Sequence, residues 1–127
     1  MIKNSKGKKI MSIKKNEINI LDGIPNSNNI FAISGRDLGY KQRKSLRIDQ
    51  LEEKFDNIEI YVPDNIVILS SSFFLGFLGE SVRKCGSREK FKEKFIFKTN
   101  GRLDNNIEDG ITDALNDTNP LEANQER

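Results

Sequence analysis

Residues 66–80, Ile-Val-Ile-Leu-Ser-Ser-Ser-Phe-Phe-Leu-Gly-Phe-Leu-Gly-Glu, constrain the fold more than any other part of the chain. Ile66 to Leu69 are four consecutive apolar residues, three of them β-branched, which is the composition of a short buried strand. Phe73, Phe74, Phe77, Leu78 and Val82 then recur as on one face of a helix. Ser70, Ser71 and Ser72 therefore mark a strand-to-helix junction. There the first N–H groups of the helix lack partners and the helix dipole favours negative charge. Ser71 or Ser72 fits an N-cap, its hydroxyl accepting from a free helix N–H. That role does not exclude a second one, in which the junction is an exposed site that binds an anion, takes a phosphate or touches a partner.

The sequence around this junction alternates between strand and helix patterns. Glu17 to Leu21 alternates polar and apolar, and Ile30 to Ile33 is a second apolar run across the Pro25-to-Asn29 turn cluster. The two predict an antiparallel hairpin with a long loop. From Asp37 to Phe55 the chain is charged, with Leu38, Leu46, Ile48, Leu51 and Phe55 as apolar contacts, and predicts one helix, irregular near Gly39 or Ser45. Ile58 to Val62 alternates cleanly and is a strand. The central helix should run from Ser72 to Lys84 and stop at Gly86. Gly76 and Gly79 within it would admit another backbone or a docked partner. Ser87 to Lys92 reads as a polar link anchored by Phe91, and Phe95-Ile96-Phe97 as a strand. Leu103, Ile107, Ile111 and Leu115 recur every four residues, an amphipathic helix with Asp104 as its N-cap.

The order is β-β-α-β-α-β-α. It predicts an α/β domain with a mixed four- to five-stranded sheet and helices packed mainly on one face. A chain of 127 residues makes one such domain. Its bounds are set at 16–117, between a lysine-rich segment, 1–15, expected to be disordered, and a flexible acidic tail, 118–127. Residues 1–15 carry six lysines and no acid, while residues 104–127 carry seven acids and one base. Either Met1 or Met11 fits as the native start.

Composition removes several function classes. There is no histidine, which rules out His-based triads, zincin-type metal sites and imidazole acid–base chemistry. The single cysteine, Cys85, cannot staple the fold, so a reducing, cytoplasmic compartment is expected. It has no histidine to activate it and reads as a small half-buried residue. Asp104, Glu108 and Asp109 match no calcium-loop spacing and suit the start of a helix. No apolar run reaches the length of a membrane span, and no h-region follows the lysine-rich start. Gly35 and Gly39 lack the spacing of a phosphate loop. Arg36, Lys41, Arg43, Lys44 and Arg47 form a basic cluster, read as a solvated helix face or as an anion site. Net charge of +2 argues against a dedicated nucleic-acid binder. No metal and no cofactor are expected.

Element order and the serine junction together resemble the STAS fold, the domain of bacterial anti-sigma factor antagonists and of anion-transporter tails. In that family a buried strand runs into Asp-Ser-Ser-Gly-Leu at the start of the next helix. Placed on it, Ser70 falls at the aspartate, Ser71 and Ser72 at the serines, Phe73 at the glycine and Phe74 at the leucine. Gly35-Arg36 before the first helix, Ser71-Ser72-Phe73, and the glycine-containing link from Gly86 to the Phe-rich segment are closer to the STAS-like domains of unknown function. The resemblance spans roughly residues 17–117. It implies a non-enzymatic, regulatory protein-interaction module whose partner is a GHKL-type ATPase kinase that phosphorylates the serine at position 71. Ser70, Ser71, Ser72, Phe73 and Phe74 are then the partner-binding residues, with an exposed phenylalanine as anchor. The alternative is a nucleotide- or nucleic-acid-binding protein using Arg36 to Arg47.

Overall fold

The computed structural model describes residues 15–99 and 101–117. The segment expected to be disordered, 1–14 of it at least, the choice between Met1 and Met11, and the acidic tail 118–127 lie outside the described residues.

Among the described residues, five short strands and five α-helices follow one another mostly in pairs, with a 3-10 turn at Ser27–Asn29. β1 (Glu17–Asn19) and β2 (Ala32–Ile33) precede α1 (Arg36–Ser45) and α2 (Ile48–Lys54). β3 (Ile58–Tyr61) and β4 (Ile68–Leu69) precede α3 (Ser71–Cys85) and α4 (Arg88–Lys94). β5 (Phe95–Lys98) leads to α5 (Asp104–Asn116). The chain thus winds as a coil. Each β-β-α turn lies against the next, and every described strand pairing is parallel.

The predicted hairpin between the first two strands does not form. β1 pairs with β3, and β3 with β5, in one sheet, while β2 pairs with β4 in another. The reason lies after β1. Asn19 turns the chain at once: its side-chain oxygen accepts from Leu21 N–H, and its carbonyl accepts from Asp22 N–H. The chain therefore rounds a corner into a second sheet instead of reversing. The expected mixed sheet is replaced by three plus two parallel strands.

The single helix expected over 37–55 is two helices. Arg47 sits in the left-handed region at φ 59° and breaks the ladder between α1 and α2. α4 replaces the expected polar link. Ser87 caps it, accepting from Lys90 N–H, and Phe91 anchors it. Gly86 ends α3 with φ 89°, as its position predicts. Leu103, not Asp104, occupies the N-cap position of α5, and no side chain caps that end.

The core lies between the sheets and the helices. Ile58, Ile60 and Phe95 point into it, while Tyr61, Ile96 and Lys98 stand on the outer side of the three-stranded sheet. α3 runs through the centre, with α1 against it on one side and α5 on another. Its aromatic face is continued by Phe91, Phe95 and Phe97. Phe74 lies 6.1 Å from Phe91 and 6.3 Å from Phe97 between ring centres, and Phe91 stacks on Phe95 at 4.9 Å.

Candidate functional site

The serine junction forms where β4 becomes α3, beside the place where β2 becomes α1. Ser70 N–H donates to the Ile33 carbonyl and so ties the two junctions together. The N-cap is Ser70, one residue earlier than the sequence suggests: its hydroxyl accepts from Phe73 N–H at 3.1 Å. Ser72 is exposed, and its hydroxyl accepts from Gly35 N–H at 3.2 Å and lies 3.1 Å from the Ser70 hydroxyl. Ser71 is half-buried, and its hydroxyl makes no hydrogen bond among the described residues. The three serines are chemically distinct as a result. One caps α3, one links α3 to the start of α1, and one makes no hydrogen bond among the described residues.

The expected aromatic anchor is not on the surface. Phe73, Phe74 and Phe77 are all buried, with no more than 1% exposure. An exposed phenylalanine would need one side of α3 left open to solvent. In fact α1 and α5 close on its other sides, so Phe74 packs against Gly110 and Phe73 against Phe77. The exposed apolar residues at the junction lie on the strands instead. Phe31 is 64% exposed, Val67 55% and Ile68 49%. Both Val67 and Ile68 donate their N–H groups to the Phe31 carbonyl, which gathers these exposed residues into one region at the start of the β2–β4 pair. It carries no charge. Residues 23–35 and 65–79 are the two longest uncharged runs in a chain of which 31% is charged, and β2–β4 pairing sets them side by side. Those runs were the sequence signal for this surface. Hydrophobic periodicity missed it because it points inward.

The basic cluster does not form one surface. Arg43 is 3% exposed and spent on internal partners. Its guanidinium donates to the Phe77 carbonyl at 2.9 Å, to the Ser81 hydroxyl at 3.0 Å and to Asp49 at 2.7 Å, with Glu52 and Glu80 close by. Ser81 donates to Glu52, which also takes Lys84. That bond holds the Lys84 ammonium above its ordinary pKa. Arg36 lies 4.0 Å from Asp117, and Lys44 sits over the Tyr40 ring. Lys41 and Arg47 are exposed. Burying Arg43 among carboxylates removes the centre of the proposed anion site.

Burial pushes the Cys85 thiol pKa up, away from a nucleophilic thiolate. No group of acids and cysteines among the described residues has the arrangement of a metal site. No helix among them is long and apolar enough to cross a membrane. Compared with family models, curated proteins and solved structures, the chain matches none.

Proposed function

We propose that this chain is a non-enzymatic, STAS-like regulatory module of the cytoplasm that binds a protein partner at the Ser70–Ser72 junction. The partner surface runs from these serines onto the exposed, uncharged residues at the start of the β2–β4 pair, where Val67 and Ile68 replace the phenylalanine anchor. A GHKL-type ATPase kinase is the partner the resemblance implies, transferring the γ-phosphoryl group of ATP to the Ser71 oxygen. A phosphate there adds about −1.5 to −2 charges at the start of α3, which the helix dipole tolerates and an apolar partner does not.

The observation that carries this reading is the division of labour among the serines. Ser70 and Ser72 are held by backbone N–H groups, while the Ser71 hydroxyl is left unbonded among the described residues, beside an exposed uncharged surface. The test is capture from the native host with mass spectrometry, using the wild-type chain, Ser71→Asp and Ile68→Asp. Capture of a GHKL-type ATPase, phosphate on Ser71, and loss of capture in both variants are expected. Equal capture by all three chains overturns the reading.

A further inference from the structure

We propose that the chain self-associates through the free edge of β2, two copies pairing antiparallel about a two-fold axis beside Ala32. The carbonyls of Phe31 and Ile33 face β4, where they accept from Val67, Ile68 and Ser70 N–H groups. Backbone groups alternate along a strand, so the Ala32 N–H and carbonyl point to the opposite edge. Among the described residues no strand pairs there, and Ala32 is exposed.

The other side of this small sheet is treated differently. Beyond β4, among the described residues, no third strand continues the ladder. Arg102 instead donates to the Ile66 carbonyl at 3.0 Å and the Pro63 carbonyl at 3.2 Å, and Asn106 accepts from Leu69 N–H at 3.4 Å. Side chains close one edge and leave the other open. An open edge is a template for another strand.

Three features select a second copy as the occupant. Antiparallel pairing centred on Ala32 joins its N–H and carbonyl to those of the same residue in the other copy, so the edge is complementary to itself. A two-fold contact also sets each charge near its own duplicate, and residues 23–35 have none to repel. Finally, strand alternation puts Phe31 on the same face as Ile33, yet Ile33 is buried and Phe31 largely exposed. In the pair, Phe31 lies opposite position 33 of the second copy and gains an apolar neighbour. The contact is short, so the dimer is weak and depends on concentration.

The test is sedimentation of the full chain from low to high micromolar concentration. A monomer–dimer equilibrium is expected. Phe31→Asp should weaken it by about tenfold or more, because each new charge would sit opposite the apolar position 33 of the second copy and diagonal to its own duplicate. Tyr40→Asp, at the exposed aromatic of α1, should leave it unchanged, and circular dichroism checks that both variants fold. In a Cys85→Ser background, Ala32→Cys should cross-link two chains on oxidation, since facing residues of such a pair lie about 5.5 Å apart. Glu17→Cys, on the edge strand β1, should not. A monomer at every concentration, a dimer indifferent to Phe31→Asp, or equal cross-linking at both cysteines overturns the proposal. Ser71→Asp should leave self-association unchanged, so this result is separable from the serine-partner reading.

Discussion

Gly39 of α1 and Gly76 of α3 meet where the two helix backbones touch. A Cβ on Gly39 would lie 2.2 Å from the Phe73 carbonyl oxygen, and one on Gly76 would lie 2.2 Å from the Arg36 carbonyl oxygen. Both obstacles are main chain, which no side-chain rotation relieves. The contact presses the start of α3 against the start of α1 and so keeps Ser72 within reach of Gly35 N–H.

Alanine at either glycine should therefore destabilise the protein. Helix propensity returns about 1 kcal/mol, while forcing the helices apart costs about 1–3 kcal/mol or more. A net loss is expected for Gly39→Ala and Gly76→Ala in urea unfolding. Gly79→Ala is the control, because a Cβ there meets only side-chain atoms of Arg83 and Leu75 at 3.5–3.8 Å. It should be neutral or stabilising by up to about 1 kcal/mol. Equal losses at all three positions would contradict the backbone contact.

Arg43 should matter for stability far more than its basic neighbours. Removing Arg43 deletes a buried side chain together with its hydrogen bonds to the Phe77 carbonyl and the Ser81 hydroxyl, a loss of about 1–3 kcal/mol. Arg43→Ala leaves Glu52, whose side chain is 8% exposed, with Lys84 and Ser81 alone. Lys41→Ala, at an exposed position, should stay within about 0.5 kcal/mol of wild type. Chemical denaturation of the two variants decides this, and similar losses would mean that Arg43 is not held as described.

Which parts of this were legible in the sequence follows from what local patterns encode. The strand-to-helix junction at 66–72 and the Gly86 stop were readable because burial period and the glycine C-cap act over a few residues. The pairing of β1 with β3 was not, because two- to four-residue strands carry no partner information and Asn19 turns the chain by a side-chain bond. Arg43 read as solvated because three other bases flank it on α1. Its burial depends on carboxylates from α2 and α3 that only the fold brings near. Gly76 signalled a close approach, but its counterpart Gly39 reads from sequence only as an irregularity in a charged helix, not as a contact.

The serines should separate by stability before any partner is added. Ser70→Ala removes the α3 cap and should cost about 1 kcal/mol. Ser71→Ala removes a hydroxyl with no hydrogen bond among the described residues and should cost close to nothing. Urea midpoints of the two variants read the difference directly. A larger loss at Ser71 would move the cap to that residue and withdraw the free hydroxyl from the switch.

Glu108 sets a pH dependence with a definite sign. Its carboxyl pKa is held below the ordinary 4.5 by its hydrogen bond with Lys92, partly opposed by desolvation and aided by Arg88. Both bases lie on α4, so the carboxylate fastens α4 to α5. A lowered folded-state pKa means that the folded protein holds its proton less tightly than the unfolded chain. The stabilisation is therefore complete above the unfolded value and is lost as pH falls through the folded one. Glu108→Gln should be less stable than wild type at neutral pH, and the gap should narrow only on acidification below about pH 4.5. The side chain is 38% exposed, so added salt should also shrink the gap. Denaturation of both chains from pH 7 to pH 3 checks this. A gap that widens toward acid would show that the carboxylate does not favour the folded state.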